Sequence, residues 1–219
     1  MKREDFLTYI DGVVQEILPG LQSLESAREE VLKVNREIIF NSSKAIESVH
    51  AERFDEALQY LLRARSQLLG VEEDVERGKD VSLLRKILDS GQREFVEAVL
   101  TYSFACSVSP DDVFGEMELK PVSYVMGILD FAGELRRLFL DALIEGDFGA
   151  AETALKIMKR IYSALVGLDI RVSMLPGFKK RLDIVRNQIE RSTENLYLSR
   201  VSRKIKGQDV GEGEDTRER

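Results

Sequence analysis

Apolar residues recur along the chain at intervals of three and four, the spacing that places them on one face of an α-helix. Leu24, Ala27, Val31, Val34, Ile38, Ala45 and Val49 trace one such stripe and predict a long amphipathic helix over 20–49. Pro19-Gly20 divides it from a shorter helix over 4–17. Phe54, Ala57, Leu58, Leu61, Leu62 and Leu68 predict a third helix that ends near Gly70, with a polar segment from Glu72 to Lys79 behind it. A fourth covers 81–106, and Ser109-Pro110-Asp111-Asp112 reads as a loop or a cap. Pro121 suits the first turn of a fifth helix over 121–145, which Gly146-Asp147 ends. A sixth spans 148–166, and Pro176-Gly177 opens a seventh that runs to Lys204. Seven helices without strands predict an all-α bundle, one domain over 1–206, with an unstructured acidic tail over 207–219.

Composition narrows the chemistry. The 219 residues are 43% hydrophobic and 32% charged, enough to bury a core, and only 4 of them are Pro, which favours long helices. A single cysteine, Cys106, excludes an intramolecular disulfide and a Cys-based zinc site, and its apolar neighbours mark it as core. A single histidine, His50, excludes multi-His metal sites, including the paired Glu-x-x-His of di-iron bundles. Its place at a helix end suits a cation on the dipole. No apolar run is long enough to span a membrane and no signal-peptide core follows Met1, so a reducing cytoplasm is the expected compartment.

The formal net charge of -7 excludes attraction of nucleic acid by the protein as a whole. The charge is uneven, however. Between 176 and 206 there are nine Lys or Arg against three acids. Lys179, Lys180, Arg181 and Arg186 lie early in the last helix, with Arg200, Arg203 and Lys204 near its end. The first group opposes the helix dipole, which favours a use in phosphate or partner binding over a merely solvated face.

Two helices carry acids among apolar residues. In 121–135 the only carboxylates are Asp130 and Glu134, four apart and so on one face. In 92–104 Glu94 and Glu97 are three apart. Burying such groups is costly unless they are paired, protonated or bound to metal. If the two helices pack antiparallel, four carboxylates can converge on a hard cation such as Mg²⁺ or Mn²⁺. The alternative is a solvated acidic face or structural pairs with Arg93, Arg136 and Arg137. Arg137 follows Glu134 by three residues, so it could point the same way, toward a phosphate, or pair with Glu134. The acidic run from Glu72 to Glu76 loosely matches the motif of all-α nucleotide pyrophosphatases, but it sits between Gly70 and Gly78, which weakens the match.

These segments resemble the translin family, and its factor X branch in particular. The most specific are 92–98 (QREFVEA), 128–137 (ILDFAGELRR) followed by Gly146-Asp147, and the last helix with 180–183 (KRLD) and 194–197 (ENLY). The stretch 27–38 looks like the family's first long helix. The resemblance implies a seven-helix subunit that assembles into a hollow octamer and binds single-stranded or short duplex RNA on its inner surface. Its factor X branch implies a Mg²⁺-dependent endoribonuclease. There the site acids are those matching Glu94, Glu97 and Asp130, with Glu134 beside them. The loop between Ser107 and Pro121 is short for that branch, and no basic N-terminal extension is seen, as in a compact archaeal member that forms the barrel from one kind of chain. A non-catalytic translin-like protein that binds RNA or single-stranded DNA is the competing expectation, and a helical scaffold without RNA a third.

Overall fold

A computed structural model describes residues 3–77, 81–168 and 175–212. Among them the chain is all-α: α1 (Arg3–His50), α2 (Phe54–Arg77), α3 (Val81–Cys106), α4 (Pro110–Phe114), α5 (Pro121–Glu145), α6 (Phe148–Leu165) and α7 (Phe178–Glu212). By its internal packing the chain divides into two compact units, Met1–Tyr124 and Val125–Arg219. The first turn of α5 belongs to the first unit and the rest of that helix to the second.

In the first unit α1 packs on α2 and α3. The break expected at Pro19-Gly20 is absent: α1 is one helix of 48 residues with Pro19 inside it. A lone proline removes one backbone donor and crowds the preceding turn, at a cost of about 3 kcal/mol, and can leave the helix running. The end expected at Gly70 is also absent. Val71 and Val75 are buried and continue the stripe of Ala64 and Leu68 through the acids that follow. The core gathers Ile38, Leu61, Leu68, Leu88 and Phe95, all fully buried. The Ser109 hydroxyl oxygen accepts from the Asp111 N–H and caps the short α4, which puts Phe114 edge-on against Phe95 with ring centroids 5.9 Å apart.

The approach of α3 to α1 depends on Gly91. Its N–H donates to Asn35 Oδ1 at 3.1 Å, and a Cβ there would overlap that oxygen. The Asn35 amide also donates to Ser90 Oγ at 3.0 Å. At the far end of α3, burial pushes the Cys106 thiol above its usual range, opposed in part by a hydrogen bond with Tyr102. Burial likewise raises the Tyr102 hydroxyl.

In the second unit α7 carries Phe178, Leu182 and Val185 into a core with Met126, Leu129 and Ala132 of α5 and Leu165 of α6. Asp147 caps α6 by accepting from the Ala150 N–H at 2.9 Å. Helix α7 runs on through Gly207 to Glu212, into the tail expected to be unstructured, and 213–219 lie outside the described residues.

Candidate functional site

Each acidic pair is set by one helix. On α3, Phe95, Val96, Ala98 and Val99 are fully buried, so Glu94 and Glu97 emerge at the margin of a core-facing helix and are half-buried. Arg93 Nη2 donates to Glu94 Oε1 at 3.0 Å, and the Glu97 backbone carbonyl accepts from Thr101 Oγ1 at 2.7 Å. Two residues earlier, Gln92 is buried. Its amide nitrogen donates to Glu72, and its Oε1 accepts from the Lys120 N–H at 3.4 Å. Lys120 Nζ also pairs with Asp89 Oδ1 at 2.5 Å. The start of α5 is thereby tied to the turn of α3 that precedes Glu94.

On α5, Leu129, Phe131, Ala132 and Leu135 are buried, and Asp130 and Glu134 are half-buried between them. Arg181 Nε of α7 donates to Asp130 Oδ1 at 2.8 Å, with side chains 30% and 22% exposed. Arg136 reaches α7 as well, donating to Ser192 Oγ at 2.7 Å. Among the described residues, no group of three or more His, Cys, Asp or Glu is gathered as a metal site. The two acidic pairs belong to different units of the chain.

The basic residues separate by what they touch. Lys179, Lys180 and Arg137 are exposed. Arg186 is exposed and lies 3.6 Å from Asp183 Oδ1. Arg200 pairs with Glu152, and the Arg203 guanidinium stands 5.2 Å from the centre of the Phe148 ring. Lys204 lies in α7, and its side chain is outside the described residues. Sequence reasoning placed Arg181 with the phosphate-facing cations, and the structure puts it on Asp130. It missed Gln92, whose only signal was an uncharged polar residue on the buried face just before Glu94.

Residues 22–203 match the model of the translin family. This chain belongs to the translin family. It is similar to AfC3PO, solved alone and as a complex with duplex RNA. The complex superposes with a TM-score of 0.76 at 32% identity, over 87% of this chain and 97% of that one. Apo-NeC3PO shares the fold, with a TM-score of 0.73 at 21% identity over 85% and 96% of the two chains. An uncharacterised protein of Methanocaldococcus jannaschii is 26% identical over 191 residues, 85% of this chain and 82% of that protein. The seven-helix, strandless architecture of the described residues is therefore the translin type. Among them no helix is long and apolar enough to cross a membrane.

Proposed function

We propose that this translin-family chain is an RNA-binding protein of the factor X branch that hydrolyses RNA phosphodiesters with Mg²⁺, working as a homo-oligomer of eight copies. The observation that carries the reading is the pair Asp130 and Glu134 on one face of α5, with Asp130 held by Arg181. The donors suit the ion. Mg²⁺ is commonly held by one or two carboxylates, with water and substrate phosphate completing its shell. Half-buried carboxylates, still open on one side, leave room for both. Asp130 and Glu134 would hold the ion, or Glu134 would orient the attacking water. Bound there, Mg²⁺ (or Mn²⁺) supplies an activated water and counters charge on the phosphate.

The chain's own residues do the rest. Arg181 fixes the rotamer of Asp130. Lys179, Lys180, Arg186 and Arg137, all exposed, draw the phosphate backbone to a protein that is acidic overall. Recognition follows backbone shape more than base identity, because no aromatic-basic motif is present. The duplex RNA bound by AfC3PO supports the choice of ligand. Asp130→Asn tests the reading. The asparagine oxygen still accepts from Arg181, so the protein should fold and bind RNA with unchanged Kd while Mg²⁺-dependent cleavage is lost. Unchanged cleavage overturns the site.

The non-catalytic reading has an observation of its own: Glu94 and Asp130 both have arginine partners. It requires RNA binding with no cleavage in Mg²⁺ or Mn²⁺, whereas the nuclease requires cleavage that a chelator abolishes.

A further inference from the structure

The stripe that buries α1 does not stop where the core stops. Alternating steps of four and three run through Phe6, Ile10, Val13, Ile17, Gly20, Leu24, Ala27, Val31, Val34 and Ile38, a coiled-coil repeat without a missed step. From Val31 onward the seam faces its own core; Val31 and Ile38 are 5% and 0% exposed. Upstream, the same seam is largely bare: Phe6, Ile10 and Ile17 are 50%, 42% and 51% exposed, and Val13 is half-buried. Leu7, Val14 and Leu21, seven apart, widen it along one side and are as exposed. Pro19 falls off the seam. A helix this exposed, weakened by the low helix propensity of Gly12, Pro19 and Gly20, is marginal in water without a partner.

We propose that residues 5–28 of α1 pair antiparallel with the same residues of a second copy of this chain. Two features select that occupant and direction. Where the seam passes from bare to buried, α1 and the end of α2 enclose a groove of about 1220 Å³ lined by Leu21, Leu24, Ala27, Val71 and Val75. An antiparallel partner centred near residue 15 brings its Phe6 to Leu24, at this groove. A parallel partner would instead bring its own Leu24, already flanked by the end of its α2, to this place. The same register puts the partner's Ile10 opposite Gly20, where a Cβ would meet nothing within 4 Å, and Val13 opposite Ile17. Val14 and Leu21 then flank the seam against their counterparts, and Arg28 lies toward the acidic turn that carries Asp5.

Phe6, Leu7, Ile10, Val14, Ile17 and Leu21, each 42–67% exposed, form the contiguous apolar strip that an interface between copies would bury. The arm up to Leu21 precedes the residues that match the family model, and the groove it would fill lies largely within them.

Crosslinking of the full chain tests both contact and direction, in a Cys106→Ser background. Phe6→Cys with Leu24→Cys should give a disulfide-linked dimer on mild oxidation. Phe6→Cys alone should not, since the two copies of residue 6 are then about 27 Å apart at 1.5 Å per residue. Val14→Cys alone should be joined by a short bis-maleimide. A dimer from Phe6→Cys alone would mean parallel pairing and overturn the register. No crosslink from any of the three, in protein with native helical content, would overturn the pairing. Ile10→Glu with Ile17→Glu should abolish the crosslink in the Phe6→Cys, Leu24→Cys chain while unit-one melting is unchanged. Persistence of the crosslink would show that the seam does not drive contact.

Discussion

Arg181 Nε lies 2.8 Å from Asp130 Oδ1, so the basic start of α7 and the acidic face of α5 meet in one ion pair. The donor is Nε, which a lysine cannot reproduce at the same place. Arg181→Lys should therefore lower stability by about 1 kcal/mol, read by urea denaturation, and weaken the hold on Asp130. Under the nuclease reading, its cleavage rate should fall more than its RNA affinity. Equal falls would assign Arg181 to RNA contact alone.

Gly91 should tolerate nothing larger. Gly91→Ala drives a methyl group into Asn35 Oδ1, and a loss of about 1–3 kcal/mol is expected in urea denaturation. Adding Asn35→Ala should recover part of that loss, because the obstacle is then gone. A second substitution that only adds to the loss would show that the hydrogen bond, and not the clash, dominates.

Gln92→Leu removes an amide that bridges Glu72 and the Lys120 backbone. Both hydrogen bonds are lost from a buried position, and a loss of about 1–3 kcal/mol is expected. Urea denaturation of the variant beside its parent reads the loss.

RNA affinity should fall steeply with salt. Replacing both Lys179 and Lys180 by Ala should flatten the log–log salt dependence by about 1.5, the contribution of two phosphate contacts. Arg200→Ala should change it less, because Arg200 already pairs with Glu152. A salt-insensitive complex would count against the whole basic face.

Cys106 should react slowly. Its pKa is raised, so less thiolate is present at neutral pH and alkylation accelerates only above the ordinary thiol range. Iodoacetamide labelling at neutral pH should be slow in the folded protein and return to the free-thiol rate in urea.

The sequence announced α3, α5 and α6 almost to the residue, because Pro110, Pro121 and Gly146-Asp147 punctuate them. It placed false stops at Pro19 and Gly70 because punctuation was given more weight than continuing periodicity. Val71 and Val75 carried the stripe onward, hidden among Glu72, Glu73, Asp74 and Glu76. The acidic pairs were legible because three- and four-residue spacing fixes a helical face. Their partners were not. Arg181 is 51 residues from Asp130, and only packing of α7 on α5 brings them together. Gln92 and Glu72, 20 residues apart, were invisible for the same reason.

Pro19 gives α1 two regimes of order. The described residues before it lie outside the core of their own chain, so that segment can unravel without disturbing Ile38 or Ala45. With a second copy as its only support, its helicity becomes a function of concentration. Dilution would first dissolve the arm into coil, and the remaining helices would keep their shape.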